Sequence, residues 1–364
     1  MKSKRITLFG ATSYTGLIIA EKLRSRNVKY AIAGRNTGKL MALRNHFGID
    51  LKIIEVDIMD YRQVDFMLDM TDILINCVGP YNLYGASVLE KSAEHGLIYL
   101  DITGEQEFVK NSFEKIDLIA RRSGATIIHS LSFESCLADV LANRILDKKR
   151  YYQDISSYYY FENFRPSPGT KLSMKMNKYY PQYLFNNFKY EIALPLKQIK
   201  KVSFDELPKH SVALFMPFPE VIFFSKKYDV KNSGSYLLMT ENEAMMAMSK
   251  PDNNNVSIKY VLEKHNMSNN SGPSQKDRNL QSFILVLNAI ENNNSESNIM
   301  LKGIDMYGIT ANLIVNGIEY LSELKKLQVG VLTPSEIMDN KNFLDHIIVE
   351  NKLKLRENVF FHQI

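Results

Sequence analysis

Cysteine is scarce: the 364-residue chain holds two, Cys77 and Cys136. Two cysteines make no disulfide framework and no CxxC pair, which points to a reducing, cytoplasmic compartment. Long apolar runs are missing as well, and nowhere do about 18 clean apolar residues follow one another. The nearest approach, 212–224, is broken by Pro217, Pro219 and Glu220. It reads as a strand pair buried in a core or in a homodimer interface rather than as a lipid-contacting surface. The N-terminus is basic, but glycines and polar residues at 10–16 interrupt the apolar stretch behind it. No small-residue cleavage site follows, so it is not read as a signal peptide. The net charge is only +5, too small to argue for a nucleic-acid partner. There is no HExxH, no Cys/His cluster and no EF-hand pattern, so no metal is argued. Neither GxxxxGK(S/T) nor GxSxG occurs, which removes the usual signs of phosphoryl transfer and of a serine hydrolase.

The composition is that of a globular protein, 45% hydrophobic and 23% charged, with room for two or three domains at ~150 residues each. Up to residue 147 a rhythm is visible. Short apolar runs at 5–9, 29–33, 51–56, 73–77, 97–101 and 126–129 alternate with amphipathic stretches at 17–26, 64–69, 87–94 and 113–122. Such alternation predicts a doubly wound parallel sheet with helices on both faces. Ligands of these sheets sit beyond the carboxyl ends of the strands.

The first turn fits that place. Gly10-Ala11-Thr12-Ser13-Tyr14-Thr15-Gly16 leaves a predicted strand and opens a predicted helix. Gly10 permits the tight turn and Gly16 the close helix packing, so the free N–H groups face a pyrophosphate. That is the fingerprint of a Rossmann-type domain, with Ser13 in place of the middle glycine. The second run ends Ala33-Gly34-Arg35, where an NAD site commonly has an acid; Arg35 suits the 2′-phosphate of NADP, which is preferred to NAD. Asp57 after the third run either borders the adenine or caps the next helix. The fourth run ends Asn76-Cys77-Val78-Gly79-Pro80-Tyr81, a turn at the nicotinamide ribose, so Cys77, Val78, Gly79, Pro80 and Tyr81 join the cofactor set.

These segments, with Asp101-Ile102-Thr103-Gly104-Glu105, resemble the saccharopine dehydrogenase-like oxidoreductases, and within them the branch of the trans-acting enoyl reductases. Ser132-Phe133-Glu134-Ser135-Cys136-Leu137-Ala138-Asp139 is similar to the family's Gly-Phe-Asp-Ser-hydrophobic-Pro-Ser-Asp run, departing from it at Ser132, Glu134 and Leu137. Gly169-Thr170 with Ser173, Gly272-Pro273-Ser274 with Arg278, Tyr307-Gly308, and Leu332-Thr333-Pro334 resemble further elements. The resemblance implies an NAD(P)-binding domain at 1–147 and a second α+β domain at 148–324 built on a mostly antiparallel sheet. It also implies a C-terminal segment, about 325–364, that returns to the first domain. The implied activity is reduction of a C=C or C=N bond.

A nicotinamide reductase needs little beyond positioning and a proton donor. Tyr81, Tyr84 and Glu105 stand near the expected nicotinamide and are the candidates. The tyrosines serve equally well as pocket walls, and Glu105 as the cap of a helix starting near Gln106. His129 reads as a satisfied structural histidine, and Asp139 as a helix buttress. The substrate is read as a small molecule or an acyl-linked group. A saccharopine-type imine reductase wants converging arginines; the second half offers few besides Arg165 and Arg278, so this reading is disfavoured. A non-catalytic NAD(P)-binding scaffold, peripheral to a membrane or lipid, is the reading from another class. In the second half, 155–161, 204–205, 221–224 and 283–291 read as strands. Residues 253–255, 269–274 and 292–298 read as turns, the last a hairpin tip, and 310–324 as a helix.

Overall fold

The apolar runs of the first half become strands because each is bounded by polar or turn residues. The computed structural model describes residues 4–204, 206–207, 211–249, 257–266, 271–324, 326–338 and 341–363. Its first part runs β1 (Ile6–Phe9), α1 (Tyr14–Ser25), β2 (Ala31–Gly34), α2 (Thr37–Phe47), β3 (Lys52–Glu55), α3 (Tyr61–Asp69) and β4 (Ile73–Asn76). It continues with α4 (Tyr81–Glu94), β5 (Ile98–Asp101), α5 (Gln106–Asn111), a π-helical turn (Ser112–Ile116), α6 (Asp117–Ser123), β6 (Thr126–Ile128) and α7 (Phe133–Ile145).

The second part runs β7 (Tyr151–Glu162), α8 (Pro168–Asn177), β8 (Tyr183–Asn186), β9 (Lys189–Ile192), β10 (Ile199–Phe204), β11 (Ser211–Phe215), α9 (Glu220–Lys227) and β12 (Asp229–Thr240). Then come α10 (Glu241–Ser249), α11 (Ile258–Asn266), α12 (Gln275–Leu280), β13 (Ser282–Glu291), β14 (Glu296–Ile304) and α13 (Met306–Glu323). The chain closes with β15 (Gly330–Leu332), α14 (Pro334–Ile337), α15 (Lys341–Glu350), β16 (Lys354–Glu357) and β17 (Phe361–Gln363).

The first sheet has seven strands in the order β15-β6-β5-β4-β1-β2-β3, and every pairing is parallel. Alternate strand residues face opposite layers. Leu8, Ile32, Ile75 and Leu100 meet α1, α2, α7 and α13, while Phe9, Ala33, Leu74 and Tyr99 meet α3, α4, α5 and α6. The sheet is therefore doubly wound. In α1 the buried set Gly16, Ile19, Ala20 and Leu23 has the i, i+3, i+4, i+7 spacing of one helix face.

The second sheet has the order β16-β14-β13-β7-β12-β11-β10-β17, with β8 paired to β12 and β9 to β8. It is antiparallel except where β12 runs parallel to β7. One apolar cluster continues from the first sheet through α7 and α13 to β7, β13 and β14, joining Leu141, Ile314, Ile155, Leu285 and Leu301.

Two expectations change. Residues 221–224 are not a strand: they lie in α9, fully buried. Four consecutive apolar residues carry no period, so a buried helix turn and a buried strand look alike. Val212 and Leu214 of β11 are buried in this chain as well, so 212–224 forms core and offers neither a dimer face nor a lipid face. At the C-terminus, β15 joins the first sheet beside β6, whereas β16 pairs with β14 and β17 with β10 in the second. The turn at 253–255, Asn269, Asn270 and Asp205 lie outside the described residues.

Candidate functional site

The β1–α1 turn is built for close approach. Gly10 has φ 81° and a Cβ there would stand 2.9 Å from the carbonyl carbon of Cys77, so no other residue fits without strain. A Cβ on Gly16 would meet the Gly10 carbonyl oxygen. Ser13 caps α1, its hydroxyl accepting from the Gly16 N–H at 3.1 Å. The N–H groups of Tyr14 and Thr15, the first two positions of the helix, have no carbonyl within it to donate to. Thr12, Ser13, Tyr14 and Thr15 are all half-buried. Free N–H donors at a positive helix end, with hydroxyls beside them, fit the pyrophosphate of a dinucleotide.

At the end of β2, Arg35 is exposed and takes part in no hydrogen bond or ion pair among the described residues. Asn36 caps α2 by accepting from the Lys39 N–H at 2.9 Å. Beyond β3, Asp57 accepts from the Met59 N–H at 3.0 Å. It makes a local turn and does not cap α3; Asp60 does, accepting from the Arg62 N–H at 3.0 Å.

Between β4 and α4 the chain turns through a cis Gly79–Pro80 bond. The Asn76 side chain holds the turn, accepting from the Val78 N–H at 3.0 Å and donating to the Tyr99 hydroxyl at 3.1 Å. Tyr81 folds back, its hydroxyl donating to the Asn76 carbonyl at 2.9 Å. It is buried, and burial pushes its hydroxyl well above the usual tyrosine range. Cys77 is buried too and its thiol is pushed up by burial. The Tyr81 hydroxyl is thus committed to the main chain and is not a free proton donor.

Glu105 is also committed. Its carboxylate accepts from the Tyr81 N–H at 2.9 Å, the Asn82 N–H at 2.8 Å and the Ser173 hydroxyl at 3.0 Å. It therefore caps α4 and not its own α5, where its side chain makes no cap bond. Burial raises its pKa above the ordinary carboxylate value, against the pull of those donors. Tyr84, half-buried, keeps a hydroxyl outside any hydrogen bond among the described residues. Of the three expected proton donors, only it remains uncommitted.

The second domain closes around these turns. Ser173 of α8 reaches Glu105, as described. Tyr307 of α13 accepts at its hydroxyl from the Ser167 N–H at 2.7 Å and meets the Tyr14 ring edge-on at 4.9 Å. The Tyr14 hydroxyl donates to the Pro273 carbonyl at 2.5 Å. Burial pushes that hydroxyl up to about 12.

Other polar groups are internal. His129 lies between Asp101 Oδ2 and Ser112 Oγ, at 2.7 Å each, and all three are buried. Asp139 pairs with Lys227 at 3.0 Å and accepts from the Ser335 N–H at 2.8 Å, a buttress as expected. Glu220 is buried and receives hydroxyls from Ser135 at 2.8 Å, Ser157 at 2.6 Å and Tyr159 at 2.6 Å. Residue reading missed one group at the strand ends: Glu134, whose carboxyl lies against Gly104. Its signal was its place in the Ser132–Asp139 run, where the family's run has an aspartate, a few residues after the sixth apolar run.

A parallel dinucleotide-type sheet joined to a mostly antiparallel one defines a class, the fold of saccharopine dehydrogenase. The apo L-Glu-forming enzyme of Saccharomyces cerevisiae covers 98% of this chain and 100% of its own, with TM-score 0.62 and 12% identity. Among curated proteins the chain is similar, over part of its length, to saccharopine dehydrogenase-like oxidoreductases and trans-acting enoyl reductases. It is 30% identical to the former from Bos taurus over 152 residues, 37% of this chain and 35% of that protein. It is 31% identical over 140 residues to the trans-acting enoyl reductase of Mycobacterium ulcerans (strain Agy99), 37% of this chain and 34% of that one. A protein of Caenorhabditis elegans named lipid droplet localized protein is 29% identical over 175 residues, 45% of this chain and 41% of that one. The matches thus span well under half the length of these relatives. No family model matches the chain.

Proposed function

We propose that the chain is an NADP(H)-dependent oxidoreductase that delivers hydride to a C=C or C=N bond of a small or acyl-linked substrate. Arg35 carries the cofactor half of this reading: a free guanidinium at the end of β2, where an NAD site commonly holds a carboxylate. The N–H groups of Tyr14 and Thr15 hold the pyrophosphate, and Gly10 lets the main chain come close. Val78 and Tyr81 wall the nicotinamide side, with Glu105 fixing their turn. Bound there, the reduced nicotinamide supplies the hydride.

A saccharopine-type substrate is further disfavoured because the two arginines named for it are taken. Arg165 pairs with Asp277 at 2.6 Å, and Arg278 with Asp305 at 3.5 Å. A second reading, a non-catalytic nucleotide-binding scaffold on a lipid surface, is favoured by exposed apolar side chains at Ile192, Leu194, Met245 and Met246 and by the name of the nematode relative. No described helix is long and apolar enough to cross a membrane. The cytoplasmic setting remains our proposal, supported by two free, buried cysteines.

Titration of the purified chain with NADPH and NADH, followed by nucleotide fluorescence, tests the cofactor. We expect NADPH to bind at least ~10-fold tighter, and Arg35→Asp to lose roughly that factor, about 1.4 kcal/mol. Equal binding of both nucleotides refutes the assignment.

A further inference from the structure

We propose that Glu134, which lies in the Ser132–Asp139 run but outside the three expected proton donors, carries the proton for the reduction. The inference rests on the reductase reading above. Glu134 is the second residue of α7, directly beyond the carboxyl end of β6. Its Oε1 lies so near the turn after β5 that a Cβ on Gly104 would stand 3.4 Å from it. Gly104 precedes Glu105, whose carboxylate holds the first N–H groups of α4. The Glu134 carboxyl is thereby set at the carboxyl edge of the parallel sheet, where a doubly wound fold receives its ligand.

The other candidates there have prior commitments. Tyr81 donates to a main-chain carbonyl, Glu105 caps α4, and His129 is enclosed between Asp101 and Ser112. Among the described residues, no cation acts on the Glu134 carboxyl. The titratable groups facing it are Glu220 of α9, Tyr159 of β7 and Cys136 of α7. None of these carries positive charge, so the carboxylate form is held only by its own main chain and the Ser132 hydroxyl, which burial outweighs. Burial pushes the group up to about 7, and the Glu220 carboxyl adds to it. A carboxyl that exchanges its proton near neutrality is matched to acid catalysis there.

The step balances simply. The hydride, with its electron pair, leaves the reduced nicotinamide, which is oxidised, and goes to one atom of the C=C or C=N bond. The carboxylic proton of Glu134 goes to the other atom. The carboxylate left behind regains a proton from water. A side chain one methylene shorter would hold the carboxyl farther from Gly104, so aspartate is a partial substitute.

The test uses the full chain with NADPH and two acceptor probes, crotonyl-coenzyme A and pyruvate plus lysine. We expect Glu134→Gln to lower kcat at least ~100-fold while NADPH affinity stays within about twofold, and Glu134→Asp to recover part of the loss. A readout without turnover accompanies it: carbon-13 NMR of chain labelled at the glutamate carboxyls. One resonance titrating near about 7 is expected in the wild type and absent from Glu134→Gln. Unchanged kcat and pH profile in Glu134→Gln, or absence of that resonance from the wild type, overturns the proposal and leaves the reductase reading standing. NADPH bound, with neither probe reduced by the wild type at high enzyme, overturns both.

Discussion

Glu105 shows how a residue chosen for chemistry can be taken by structure. Its two oxygens accept from successive N–H groups at the start of α4 and from Ser173 of the second domain. A carboxylate at a helix N-terminus makes charge-assisted bonds and meets the positive end of the dipole. Glu105→Gln keeps the shape but can accept through one oxygen only, leaving a buried donor unpaired. We expect a loss of ~1–3 kcal/mol in urea denaturation and weaker NADPH binding, because α4 borders the same crevice. Unaltered stability would show that the turn after β4 holds itself.

At the scale of elements, the parallel sheet was the legible part. Each of β1 to β6 is a short apolar run between polar boundaries, and the glycine turn fixes which strand comes first. Helix α9 was misread because 221–224 is apolar throughout and lacks period. Strands β9 and β16 left no trace because most of their residues are exposed and pair at the sheet margin. Of the candidate site, the close turn at Gly10–Gly16 and the exposed place of Arg35 were legible, both local in sequence. The site was not legible where bonds cross between elements, as from Glu105 to Tyr81 or from Tyr14 to Pro273. The Asp101–His129–Ser112 link is another such case, tying β5, the segment after β6 and the π-helical turn. His129→Ala leaves a buried carboxylate and hydroxyl without their shared partner, which should cost ~2–4 kcal/mol. A thermal melt lowered by several degrees checks it; a melt at the wild-type temperature would mean that water takes over both bonds.

On the scale of the whole molecule, burial of acids between the two domains makes stability depend on pH in an uncommon direction. Glu105, Glu134 and Glu220 all have pKa values raised by burial. A carboxyl raised on folding binds more protons folded than unfolded between its two values, so stability falls as pH rises through that window. For Glu134 the window runs from the unfolded value of about 4.3 to about 7 in the folded chain. Glutamine at this position has the size of the protonated acid and no charge to desolvate. Glu134→Gln should therefore melt above the wild type at about pH 8, with the difference shrinking to nothing near pH 4. Differential scanning calorimetry of both chains without nucleotide measures it. The same substitution is expected to abolish most turnover, so stability gained where activity is lost would mark Glu134 as a position kept for chemistry. A variant less stable than the wild type at every pH would instead make Glu134 a structural support of α7.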